Sequence, residues 1–238
     1  MDAVFGERPI SLRALADFSQ LDQQTRSHLK NVYAALTLST FLAAGGAGVH
    51  IFTDVLKGGF LSGIVGIGLM LALAFTSNEP KNQMKRMGYL GGFAFCTGLG
   101  LGPLMDAVIE IDRSIIPTAF LATCLIFACF SLSALWAKER SYLYLGGTLL
   151  SALSVMLLLG IANIFLGSHL IYKIQLYGGL ILFCAFILYD TQLIIQKRKN
   201  GDNDFIWHSV DLFLDFINIF RRLMVILADN KESKKRKN

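Results

Sequence analysis

Charge is scarce in this chain. Of 238 residues only 16% are Asp, Glu, Lys or Arg, against 54% hydrophobic, a balance that excludes an ordinary water-facing surface and places the chain among membrane proteins. Cysteine is equally sparse. Cys96, Cys124, Cys129 and Cys184 all lie in apolar runs, with neither metal-ligand spacing nor an extracellular loop framework, so they read as small buried hydrophobes. The net charge of +5 does not imply nucleic acid, because the Lys and Arg residues sit in short loops and a tail without interleaved aromatics. Residues 1 to 29 contain no apolar h-region and no small-residue cleavage site, so no removable signal peptide is expected. A Ser/His/Asp order, an HExxH and a Walker sequence are all missing. Gly98, Gly100 and Gly102 miss the GxGxxG spacing, follow no strand and precede Pro103, which excludes a phosphate loop. A kink or loosened turn is expected there instead.

What is present is a series of apolar segments, at 31–53, 58–77, 87–108, 115–137, 142–166, 170–195 and 205–228. Each is close to the ~20 residues that cross the hydrocarbon core as a helix. The expectation is one all-α polytopic bundle at 31–228, preceded by a cytosolic arm at 1–30 and followed by a basic tail at 229–238. In the arm, the spacing of Ile10, Leu12, Leu15 and Phe18 fits a short helix at the membrane surface, and a loosely ordered arm is the equal alternative. Gly59 with Gly63, and Gly88 with Gly91 and Gly92, are spaced for close helix approach.

Lys and Arg residues number four before the first span, three in loop 2/3, two in loop 4/5 and three in loop 6/7, whereas the intervening loops hold one each. The positive-inside rule therefore puts the N-terminus in the cytosol. Five more Lys and Arg residues after Asn230 conflict with seven crossings. Either the last segment crosses and the tail is translocated, or that segment is re-entrant and both ends are cytosolic; re-entrant backbone must be enclosed by protein or a cavity.

Ionisable residues inside hydrocarbon are costly, by roughly 3 kcal/mol each or more, and usually face a cavity, a partner or an ion path. Two segments carry them. Asp190 lies near the end of the sixth, and His208, Asp211, Asp215, Asn218 and Arg222 fall within an arc of about 80 degrees on the seventh. Asp190 precedes the 6/7 loop by about six residues and Asp215 follows it by about ten, so at ~1.5 Å per residue their depths differ by only a few ångströms. Two carboxyls that meet in a poorly hydrated site share one proton, and when ionised they offer hard oxygens to Ca²⁺. Asp106 and Glu110, at the other end of the third span, either collect cations at a mouth or are solvated loop charges.

The run TGLGLGPL from Thr97 to Leu104, followed by IPTAF from Ile116 to Phe120 and Thr123, resembles the signature of the Bax inhibitor-1 family. The likeness extends to His28–Tyr33, Ser133–Gly147, and the LYDTQLII and WHSVDLFLDF runs around Asp190 and Asp215, and it points to the eukaryotic endoplasmic reticulum members. The resemblance implies a seven-helix bundle with the last helix central and enclosed by the other six. It implies a calcium leak from the reticulum lumen and suppression of cell death triggered by Bax or by reticulum stress. In bacterial relatives an aspartate pair from helices six and seven senses pH; the matching positions are Asp190 and Asp215, with Asp211, His208, Asn218 and Arg222 as supporting candidates. The bacterial pair is served by a basic residue in the second helix, and none occurs between Gly58 and Ser77. No cofactor is expected, calcium being the transported ion. Expected partners are the bilayer, calcium and protons, with Bcl-2 family and stress-sensor proteins on resemblance alone; the sequence leaves homo-oligomerisation open. A scaffold that recruits partners is the alternative. An intramembrane aspartyl protease is the remote one, because GxGD is missing before Asp215.

Overall fold

The computed structural model describes residues 22–53, 56–137 and 141–235; the arm helix expected through Ile10 and Phe18 lies outside them. The described chain forms seven α-helices, α1 Gln23–Phe52, α2 Phe60–Phe75, α3 Gln83–Ile111, α4 Ile115–Trp136, α5 Gly146–Leu166, α6 His169–Lys199 and α7 Phe205–Lys235. Five of them, α1, α3, α4, α5 and α6, are long and apolar enough to cross a membrane. α2 is apolar but only 16 residues long. α7, at 31 residues, is long but carries the polar stripe, which its neighbours cover.

Helix ends follow local chemistry rather than the apolar run. α1 begins eight residues before its apolar segment because the Asp22 carboxylate accepts the Thr25 N–H at 3.4 Å, an N-cap that satisfies an otherwise orphaned donor. α5 stops at Gly167, whose φ of +59° is a left-handed conformation that glycine adopts without a Cβ penalty. Gly201, at φ +96°, turns the short α6/α7 link in the same way.

α7 is the central helix, sharing its main interfaces with α6, α1, α4 and α3. Phe213, Leu212, Ile219 and Met224 are fully buried on it. α2 stands chiefly on α3, and α5 chiefly on α6, so the immediate enclosure is four helices and the other two form an outer layer. α5 buries only Gly146 and Leu149; it is apolar all round, as a lipid-facing helix is. Of the cysteines, Cys184 is buried, Cys96 and Cys124 are half-buried and Cys129 is exposed, so burial holds fully for one of the four.

The ends of α7 settle its course. Asp204, just before it, pairs with Arg86 at the start of α3, and Lys231 near its end pairs with Asp112 just beyond α3. α7 therefore runs alongside α3 from end to end as one helix that does not turn back on itself, although its polar stripe keeps it out of the five helices apolar enough to cross by composition. The tail expected from residue 229 is helical as far as Lys235. There Lys231 also reaches Ser114 Oγ at 3.2 Å, and Lys235 donates to the Ile111 carbonyl at 2.8 Å. The Lys231 hydrogen bond holds the Asp112 carboxyl well below the usual carboxylate range. A depressed pKa stabilises above the ordinary carboxylate range and loses that contribution as pH falls through the lowered value. The end of α7 is thus expected to be docked at neutral pH and to loosen only in strong acid. Lys231→Gln should fray residues 229–235 at neutral pH, read as faster amide hydrogen exchange there with the α7 centre unchanged.

Of the glycines expected at close approach, Gly91 and Gly92 do meet neighbouring helices, against Leu42 of α1 and Leu69 of α2, whereas the others do not. A Cβ on Gly59, Gly63 or Gly88 would meet nothing within 4 Å. Gly46, Gly98 and Gly102, by contrast, press against Phe95 backbone, Ala43 backbone and the His50 ring. α3 passes through Pro103 as one helix, and of the three glycines before that proline Gly98 and Gly102 serve contact with α1. Gly98→Val is expected to force backbone apart and to destabilise by about 1–3 kcal/mol or more, measured as a lowered midpoint of thermal unfolding in detergent.

Candidate functional site

The site is assembled on α7 by helical periodicity and closed by α6. His208, Asp211, Asp215, Asn218 and Arg222 recur every three or four residues, so they share a face. Asp215 is only 4% exposed. The structure brings Asp190 of α6 and Asp215 of α7 within side-chain hydrogen-bonding reach of each other, and Asp211 lies close enough to act on both through its charge. One Asp215 oxygen, Oδ2, is buried with no hydrogen-bond partner. Neither Asp190 nor Asp215 is in an ion pair among the described residues, so no basic residue latches this pair directly, although the charge of Lys197 near the end of α6 acts on Asp190.

Arg222 is not that latch. Its guanidinium donates to the Asn218 carbonyl and side-chain oxygens at 3.4 and 3.1 Å and stacks over Phe183 at 4.7 Å. Gly179 makes room for it, since a Cβ there would overlap the guanidinium. Asn218 in turn donates to the Leu214 carbonyl at 2.9 Å. Arg222, held by Asn218, thus fixes α7 against α6 two turns beyond Asp215.

His208, fully buried, shares a 2.9 Å hydrogen bond with His28 of α1, and its Nε2 faces Asp202 at 3.5 Å. It joins α1, α7 and the 6/7 loop at one end of the bundle. Beside it, Arg86 is 2% exposed and grips both Asp204 oxygens, at 2.9 and 2.5 Å, as well as Asn78 at 2.8 Å. Sequence reasoning counted Arg86 as a loop cation and did not single out His28 or Asp204. No local signal marks such pairs, whose members are more than a hundred residues apart.

Three buried hydroxyls complete the polar interior. The Tyr33 hydroxyl of α1 reaches toward Ser131 of α4 and Thr191 of α6, yet none of the three forms a full hydrogen bond. At the opposite end His50 accepts the Gly58 N–H on Nδ1 at 2.5 Å and therefore donates from Nε2 to Asp106, 2.9 Å away. Asp106 is thus tied to α1 and is more than a solvated charge. No group of three or more His, Cys, Asp or Glu residues is placed to hold a metal ion among the described residues. What the site offers is a buried carboxyl pair, a third carboxyl nearby and a few hydroxyls, which suits proton exchange or brief cation contact better than tight binding.

Residues 25–232 match the family model described as inhibitor of apoptosis-promoting Bax1. The chain belongs to the Bax inhibitor family. It is 52% identical to Bax inhibitor 1 of Bos taurus over 231 residues, 97% of this chain and 98% of that protein. It is 50% identical to the Homo sapiens protein of the same name over 230 residues, 97% of each chain. With Bax inhibitor 1 of Arabidopsis thaliana it shares 40% identity over 234 residues, 98% of this chain and 93% of that protein. Membership covers the whole bundle, including both aspartates, and this family member is a multi-pass membrane protein by its helices as well.

Proposed function

We propose that this Bax inhibitor family member is a pH-sensitive calcium leak of the endoplasmic reticulum membrane, N-terminus in the cytosol, which lowers lumenal calcium and so damps cell-death and reticulum-stress signalling. The observation that carries the reading is the meeting of Asp190 and Asp215 in the interior, where neither is in an ion pair among the described residues and Lys197 acts on Asp190 only through its charge. A proton shared by the two carboxyls ties α6 to α7. Without it, two negative charges at hydrogen-bonding range repel in a medium that screens them poorly, the helices part and the oxygens meet passing Ca²⁺. Calcium is cargo and no cofactor is required; we read the protein as a non-enzymatic regulator. The suppression of apoptosis is supported by the relatives' name, Bax inhibitor 1.

The test is calcium efflux from liposomes holding the purified full chain, between acid and neutral pH. Flux that rises with pH supports the leak. Folded protein that conducts nothing at any pH sinks it and leaves the second reading, a membrane scaffold acting through Bcl-2 family or stress-sensor proteins. That reading is favoured by the name of the relatives, which describes action on a protein.

A further inference from the structure

α1 and α4 both pack on α7 but are not among the closely packed helix pairs, although the Tyr33 hydroxyl of α1 reaches toward Ser131 of α4. Between them opens a groove of about 1020 Å³, walled by Ala43, Ala44, Ala47 and Gly48 of α1 and by Pro117 and Phe120 of α4, and floored by Phe216 and Phe220 of α7. From Thr40 to Phe52 the α1 wall is roughly 18 Å long at ~1.5 Å per residue. One leaflet of a hydrocarbon core about 30 Å thick is close to that depth. The apolar wall ends in charge: Asp106, Glu110 and Arg113 line the mouth. Asp106 is engaged by His50, while Glu110 and Arg113 have no ion-pair partner among the described residues.

We propose that this groove binds one ethanolamine-type phospholipid. Its acyl chain lies along the small residues of α1. The phosphate meets Arg113, whose planar fork suits phosphate oxygens. The ammonium meets Glu110, to which a primary ammonium donates hydrogen bonds and a quaternary one cannot. An anionic headgroup without an amine is disfavoured by Glu110 and by the remaining charge of Asp106.

The test is native mass spectrometry of the full chain reconstituted with equal parts of phosphatidylethanolamine, phosphatidylcholine and phosphatidylglycerol. One retained phosphatidylethanolamine is expected, favoured about tenfold over either competitor, the scale of one charge-assisted hydrogen bond. Gly48→Leu should abolish retention without harming the fold, because a Cβ there meets nothing nearer than the Phe52 ring at 3.9 Å; Ala44→Leu, on the exposed side of the same wall, should do the same. The double variant Glu110→Gln, Arg113→Gln should keep a lipid but lose the headgroup preference. Equal retention of the three lipids by the unaltered chain overturns the proposal. So does retention by both plugged variants, or a dimer mass in place of the lipid adduct. None of these readouts depends on calcium flux.

Discussion

Asp215→Asn, reconstituted in liposomes, is expected to hold calcium efflux near its acid-pH level at every pH, with the rise toward neutral pH abolished. The amide has nearly the carboxyl's shape, so packing beside Leu212, Phe216 and Ile219, all buried, is kept. What changes is that the pair with Asp190 can carry at most one negative charge. An amide also donates to a carboxylate, so α6 and α7 stay tied without any proton to lose. Hydrogen bonds to a charged group contribute ~1.5–3 kcal/mol, which corresponds to a roughly tenfold to hundredfold smaller open population at neutral pH. Asp190→Asn should act in the same direction, and the double variant should add little to either single one, because the two carboxyls form one titrating unit. A neutral-pH flux in Asp215→Asn equal to that of the unaltered protein would remove the pair from the gate. Asp211→Asn distinguishes a general charge effect: it removes a neighbouring charge without dissolving the pair, so the pH response should shift and survive.

Much of this was legible because charge is rare in the chain. A polar residue in an apolar segment stands out, the period of 3.6 places His208, Asp211, Asp215 and Asn218 on one face, and counting from the 6/7 loop puts Asp190 at matching depth. The helix count came from segment length by the same reasoning. What hydropathy reports, however, is the apolar stretch and not the hydrogen-bonded helix, so the starts of α1 and α3 and the ends of α6 and α7 extend past it by polar turns. Glycine spacing misled for a related reason: Gly59 and Gly63 have the right interval, but a spacing does not say which face meets a neighbour. Gly98 and Gly102 looked like a weak turn and instead carry the α1 contact. The docking of the tail on the α3/α4 turn also needed the structure, because the Lys231 contact with Asp112 joins residues 119 apart.

Arg86→Ala is expected to destabilise the bundle by about 3–5 kcal/mol, the usual cost of removing one partner from a buried ion pair. The count of Lys and Arg treats Arg86 as one of three exchangeable loop cations, yet its side chain is 3% exposed and that of Asp204 19%. The two-pronged grip on Asp204 joins the start of α3 to the start of α7, and the bond to Asn78 adds the α2/α3 loop. Asp204 also caps α7, since its Oδ1 accepts the Trp207 N–H at 3.0 Å, as an aspartate at that position does. Loss of Arg86 therefore leaves a carboxylate partly out of water and still committed to the cap. Asp204→Asn keeps capping capacity but strands Arg86, whose Nε is already buried without a partner. Combining Arg86→Ala with Asp204→Asn should recover part of either loss, because no lone charge is left behind. Unfolding midpoints in detergent for the four proteins of this cycle give the coupling directly. A coupling below ~1 kcal/mol would mean that water screens the pair as it does at a surface, and the central helix would then owe its position to the apolar contacts of Phe213, Ile219 and Met224 alone.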